Sequence, residues 1–202
     1  MNSSISLPAS WFNRSSTAVA VDLLGCTLVR VVNGETVRAE IVETEAYESG
    51  DPAMYAYRHR TERNAVVFGA AGVAYVYRIY RQYCCFNIVT DREGLASTIL
   101  IRAVDLQALP SWVSPQKEKL SRVAAGPGKL CRTLAIDESL KGVSLGVESG
   151  LWVEARSPTA TQKIAANAAA ITQTTRIGLF KGADIPWRWY LSESAAVSKK
   201  MR

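Results

Sequence analysis

Between residues 26 and 45 apolar and polar positions alternate, which predicts two strands, 26–32 and 35–45. In the second, Val37, Ala39 and Ile41 occupy one face and Thr36, Arg38 and Glu40 the other. Asn33-Gly34 between them is a strong hairpin signal, because a type I′ turn needs positive φ at both central residues. Upstream, residues 17–24 read as a short helix capped by Ser16 and stopped by Gly25. A second hairpin is predicted at 73–80 and 83–90. A strand follows at 98–104, a helix at 129–136, and late strands at 151–155 and 187–191. The polar stretch 48–64 is too long for a casual turn and reads as a functional or packed irregular segment. Residues 159–175, rich in Ala, Thr and Gln, read as a poorly packed loop or a weak helix around 164–170. Hairpins with scattered helices and no βαβ repeat predict an α+β fold with a largely antiparallel sheet. The expectation is one domain over residues 1–202, with roughly the first ten and last six residues flexible, as chain ends usually are.

Charge adds a partner class. Lys and Arg number 24 against 18 Asp and Glu, a net charge of +6, which favours polyanions such as nucleic acid, although solubility alone is the bland alternative. The chain has four cysteines, none in a C-x-x-C pair, and one histidine. That composition argues against a disulfide scaffold or a metal site, and no metal or cofactor is expected. No basic stretch followed by an apolar core opens the sequence, and no apolar run approaches the roughly 18 residues of a membrane span. No membrane partner is therefore expected.

Three segments carry possible chemistry. In Val42-Glu43-Thr44-Glu45-Ala46-Tyr47 two carboxylates and an aromatic sit where an apolar strand runs out. In a regular strand Glu43 and Glu45 share the partly buried face of Ile41. Each is then either paired with a cation or tuned for base work. Arg102, inside the apolar run 99–104, must itself be paired, and Glu43 or Glu45 is its candidate partner. The tyrosines of residues 73–83 fall on both faces of one hairpin beside Arg78 and Arg81, as a tyrosine-rich core or as a stacking platform for bases. Gly126-Pro127-Gly128-Lys129 precedes a helix and is either a phosphate cradle or a plain turn; it lacks the Walker A pattern.

Together these segments resemble the alkyladenine (3-methyladenine) DNA glycosylase family. The matches run in order: AVDLLGCTLV at 20–29, IVETEAY at 41–47, DPA at 51–53, RTERN at 60–64, AYVYRIY at 74–80, CFNIVT at 85–90, ILIRAV at 99–104, GPGKLCRTLAI at 126–136 and RIGLFKGADIPWRWYL at 176–191. The resemblance implies a compact α+β domain with a curved antiparallel sheet and peripheral helices. It implies a monomeric, cofactor-independent enzyme that extrudes 3-methyladenine, 7-methylguanine or hypoxanthine from duplex DNA and hydrolyses the N-glycosidic bond, the first step of base excision repair. Its place would be the cytoplasm, with the nucleoid, or a nucleus.

By the same resemblance Glu45 is the general base, and Arg102 helps hold the attacking water. Tyr47 and Tyr77 flank the extruded base, Asn87 discriminates against guanine, and Tyr80 is the wedge that fills the hole. Arg58, Arg60, Arg63, Arg78, Arg81 and Lys129 are candidates for the DNA backbone. Two places depart from the family's pattern. Tyr55 replaces the histidine of D-P-A-x-H, and Arg81-Gln82 replaces the Gly-Met after the wedge. A changed substrate range is expected from Tyr55. The competing readings are a relative that binds lesions without excising them and an unrelated small-molecule enzyme.

Overall fold

The computed structural model describes residues 6–57, 59–114 and 117–201. Among them, eight strands form one sheet: β1 (Thr27–Val32), β2 (Glu35–Tyr47), β3 (Ala74–Ile79), β4 (Tyr83–Val89), β5 (Thr98–Leu106), β6 (Leu151–Glu154), β7 (Ile171–Thr174) and β8 (Arg188–Leu191). Its order is β3-β4-β5-β2-β1-β6, with β8 added to β2 and β7 to β8, and every pairing is antiparallel. Four helices lie around it: α1 (Ser16–Asp22), α2 (Leu120–Val123), α3 (Pro127–Thr133) and α4 (Pro158–Ala166). The fold is α+β, as expected. No helix of the described residues is long and apolar enough to cross a membrane.

The first hairpin forms as its turn requires. Asn33 and Gly34 have φ of 49° and 83°, and β1 meets β2 in register from Val32↔Glu35 to Thr27↔Glu40. The helix before it starts one residue earlier than its sequence suggests. Ser15 is the cap, its hydroxyl accepting from Ala18 N–H, and Ser16 is buried and donates to Glu48 Oε1 at 3.0 Å. Two serines in a row offer two caps, and Ser16 is drawn inward by the Glu48 carboxylate. Gly25 does end this segment, with φ of 81°.

Strand β2 forks. Its first half pairs with β1, and beyond Ile41 the same edge takes β8, through Glu43↔Tyr190 and Glu45↔Arg188. A sheet that changes neighbours in mid-strand curls, and this one closes into a half-barrel. At the fork the β2–β5 register slips twice, between Ile41/Glu43 and Glu43/Thr44. An extra residue in a strand reverses which face later side chains take. Ile41, Val104, Ile101, Ile99 and Ala46 all belong to the main core, whereas Val42 and Ala103 pack with Tyr190 in a separate cluster. Glu43 and Glu45 therefore do not share the face of Ile41, as regular alternation predicted. The irregularity turns them away from the main core, toward Arg102.

The main core lies between the sheet and α1, α2 and α3, with Phe12, Leu23, Leu24, Leu28, Phe86 and Leu130 fully buried. A second cluster, Met54, Ala56, Val67, Tyr75, Val89 and Ala96, packs the polar stretch 48–64 onto the sheet. Residues 159–175 differ from both sequence readings. They hold all of α4 but its first residue, every one at least partly exposed, and then β7. The helix starts earlier than the Ala-rich run because Ser157 caps it and Pro158 opens it. Near the chain ends Leu7 N–H bonds Val153 O, Val197 is buried, and Ser198 N–H bonds Glu43.

Candidate active site

The curled sheet gathers three buried carboxylates, Glu43, Glu45 and Asp51, and three buried guanidiniums, Arg102, Arg176 and Arg188. Burying a charge is expensive unless it is paired and hydrogen-bonded, and here each sign meets the other. Glu43 accepts from Arg102 Nε at 3.0 Å, Arg188 Nε at 2.7 Å, Ser198 Oγ at 2.8 Å and Ser198 N–H at 2.7 Å. Glu45 accepts from Tyr47 Oη at 2.8 Å and Ile177 N–H at 2.8 Å, and Arg102 Nη1 lies 3.2 Å from its Oε2. Arg102 thus bridges both glutamates. Burial works against its charge, but Glu45 and then Glu43 more than offset this, so its pKa lies above the ordinary arginine value.

The rings above this floor come from β2, β3 and the 48–64 stretch. Tyr47, at the end of β2, places its hydroxyl on Glu45 and its ring 4.6 Å from the Arg176 guanidinium. Burial first, and then the Glu45 charge, push its phenol well above the usual tyrosine range, so it stays a donor. Tyr77 sits on β3 opposite Cys85, and its phenol is pushed up chiefly by burial. Tyr55 stacks on Tyr77 with centroids 6.1 Å apart and planes at 14°; Tyr75 tilts against Tyr77 at 5.4 Å. Asn87 is buried on β4 between Tyr75 and Leu100, its amide donating to Tyr75 O at 3.2 Å. The structure thus brings Glu45, Arg102, Tyr47, Tyr77 and Tyr55 into one neighbourhood, with Asn87 behind Tyr75.

Tyr80 lies apart, at the tip of the β3–β4 hairpin. It is 82% exposed, and it and Arg81 have φ of 48° and 63°. Arg60, Arg63 and Arg81 are exposed, and among the described residues no carboxylate lies within ion-pair distance of them. Arg63 also stands 5.5 Å over the Tyr55 ring. Arg78 is paired with Glu138 at 2.9 Å, and Lys129 with Glu118 at 2.5 Å. Arg58 lies outside the described residues. Gly126-Pro127-Gly128 is a packing device more than a cradle: α3 spans only seven residues, and a Cβ on Gly128 would meet Tyr83 at 3.0–3.3 Å.

Sequence reasoning missed Arg176 and Asp51, which hold each other in a two-pronged pair. Arg176 also donates to Ala46 O at 2.9 Å and Gly182 O at 3.2 Å. It missed Arg188 and Ser198 on Glu43 as well. A signal was present, since Arg176 and Arg188 are cations of a largely apolar closing segment. A groove of about 730 Å³ lies elsewhere, lined by Arg38, Glu40, Asp105, Glu154 and Arg156 among others. Its arginines serve structure: Arg156 donates to Leu24 O and Val21 O, and Arg38 pairs with Glu154.

The site is thus a buried carboxylate bridged to arginine beside a group of tyrosines, with Arg63 over the outermost of them. The methylpurine-DNA glycosylase family model matches residues 10–195. A protein of Trichodesmium erythraeum, named a candidate 3-methyladenine DNA glycosylase, is 49% identical over 94% of this chain and 96% of its own length. Similarly named proteins of Synechococcus sp. (strain JA-3-3Ab) and Synechococcus elongatus are 50% and 47% identical, over 93% and 94% of this chain and 96% and 89% of theirs. The chain belongs to the methylpurine-DNA glycosylase family and is an enzyme of that class, a hydrolase of N-glycosyl bonds.

Proposed function

We propose that the protein excises alkylated and deaminated purines from duplex DNA, 3-methyladenine foremost, with 7-methylguanine and hypoxanthine as further substrates, at the start of base excision repair. The observation that carries this reading is Glu45 joined to Arg102 beside Tyr47 and Tyr77 in a chain of this family. Extruding a base costs a few kcal/mol, least where pairing is already weakened. Tyr80 would replace the lost stacking. The aromatic faces attract a cationic alkylated purine more than a neutral one.

Glu45 has three donors on its two oxygens, and a carboxylate offers about four acceptor sites. The remaining site is where water would donate. As the C1′–N bond breaks, its electron pair leaves with the purine. The water oxygen bonds C1′ and the water proton passes to Glu45, leaving an abasic sugar. Glu45 takes the proton, while Arg102 holds the carboxylate and the water in place. Tyr55 stacks but cannot carry the charge of the histidine it replaces, so Tyr55→His should alter the relative rates on hypoxanthine and alkylated purines.

Base release from methylated and hypoxanthine-containing duplexes tests the reading. Glu45→Gln should lower the rate by about 10²–10⁴, the worth of a positioned general base, while duplex binding persists. A rate near wild type would remove Glu45 from the chemistry. One observation favours the second reading, a lesion binder without excision: Glu45 has no exposed surface, and Tyr47 covers it. Tight lesion binding with no base released by the wild type would establish that alternative.

A further inference from the structure

Residues 177–182 form a loop pinned at both ends to the site. Ile177 N–H bonds Glu45, and Gly182 O accepts from Arg176. Between the pins the chain turns at Gly178, with φ of 77°, and presents Phe180. That ring is 103% exposed, so it touches essentially nothing. A phenylalanine left in water forgoes about 1.5–3 kcal/mol of burial. Single exposed apolar residues are common, but this one has company of one kind. Among the described residues the exposed large aromatics are Tyr55, Tyr57, Tyr80, Tyr83 and Phe180, on the 48–64 stretch, the β3–β4 hairpin and this loop. Lys181, next to Phe180, lines a pocket of about 340 Å³ with Tyr55, Tyr57 and His59. Tyr55 in turn stacks on Tyr77 of the wedge hairpin. Tyr55 thus joins this pocket, through Tyr77, to the β3–β4 hairpin.

We propose that Phe180 is a stacking contact for DNA additional to Tyr80, with Lys181 meeting the adjoining phosphate. Its ligand is a base flanking the extruded nucleotide, partly unstacked by the distortion of the duplex on the side away from the Tyr80 wedge. The loop's attachment to Glu45 and Arg176 links that contact to the catalytic floor. The inference rests on the glycosylase reading above. Stacking on an aromatic side chain is sequence-tolerant, as lesion recognition in any context requires.

The test uses the full chain and duplexes carrying a tetrahydrofuran abasic analogue, with 2-aminopurine at the adjacent position. Base release by the wild type from methylated duplex is measured alongside. Phe180→Ala should weaken binding about tenfold or more and reduce the change in 2-aminopurine fluorescence to the part that Tyr80→Ala removes. Phe180→Trp should retain both. The thermal midpoint should not move, because the ring has no partner to lose. Lys181→Ala should weaken binding and flatten its salt dependence. Wild-type release and binding with Phe180→Ala binding unchanged would overturn the inference alone. Failure of the wild type both to bind and to release base would overturn the glycosylase reading, and the inference with it.

Discussion

Glu43 and Glu45 are the same residue type two positions apart, and their partners divide the work between them. Glu43 is held by two arginines and by Ser198, so its oxygens are committed to the fold. Glu43→Gln leaves Arg102 and Arg188 without full compensation, and breaking a buried ion pair this way costs about 3–5 kcal/mol. Chemical denaturation should show that loss, and the protein that remains folded should still release base. Tyr75 gives the converse case. Its hydroxyl is buried with no hydrogen-bond partner among the described residues, and burial raises its pKa to about 12. Removing an unpaired buried hydroxyl is neutral or stabilising. Tyr75→Phe should therefore keep or raise the unfolding midpoint, and a marked fall would mean that the hydroxyl has a water or ligand partner.

At the level of elements, the β3–β4 hairpin shows strain at its tip. Tyr80 and Arg81 both take the left-handed conformation, which costs a residue with a side chain roughly 1–2 kcal/mol. Glycine removes that cost but loses about 0.5–1 kcal/mol to unfolded-chain entropy. Arg81→Gly should thus leave stability unchanged or slightly higher in urea melts. It should also reduce the salt dependence of duplex binding if Arg81 meets a phosphate. The hairpins and their order were legible in the sequence because Asn33-Gly34 and the alternation around it are local signals. The reversal at Glu43 was not, because it arises where β2 exchanges β1 for β8, a strand about 145 residues further on. The site floor was half legible. Arg102 had to be paired, but Arg176, Arg188 and Ser198 reach the glutamates and Asp51 only through the curl of the sheet. Residues 159–175 mislead because their helix is set by Ser157 and Pro158, outside the Ala-rich run.

The whole molecule answers to pH and salt. Glu40 and Asp105 face each other directly across β2 and β5. Burial raises both pKa values, and for Glu40 the Asp105 charge adds to it, partly offset by Lys163. A carboxyl whose folded pKa is raised contributes stability while protonated, below its unfolded value near 4, and loses it as pH rises through the folded value. Glu40→Gln should therefore be more stable than wild type at neutral pH, with the difference fading toward pH of about 4; unfolding midpoints across that range check the sign. In salt, duplex binding should weaken with a slope of about −0.9 per phosphate contacted. A flat response would leave the +6 charge without a role in binding.

Ser198 is joined to Glu43 across 155 positions of chain, and Lys199 O and Met201 N–H fasten the same tail to Arg188 and Tyr190. During synthesis, then, the two glutamates and Arg102 emerge long before the residues that complete their charge balance. Until Arg188 and Ser198 leave the ribosome, Glu43 has only Arg102 from among these partners, and the nascent domain must keep an uncompensated carboxylate in a half-built barrel or leave that region open to water. Competence for repair would accordingly arrive late and all at once. A chain stalled before Arg188 would be a basic, unfinished polypeptide without a finished active site.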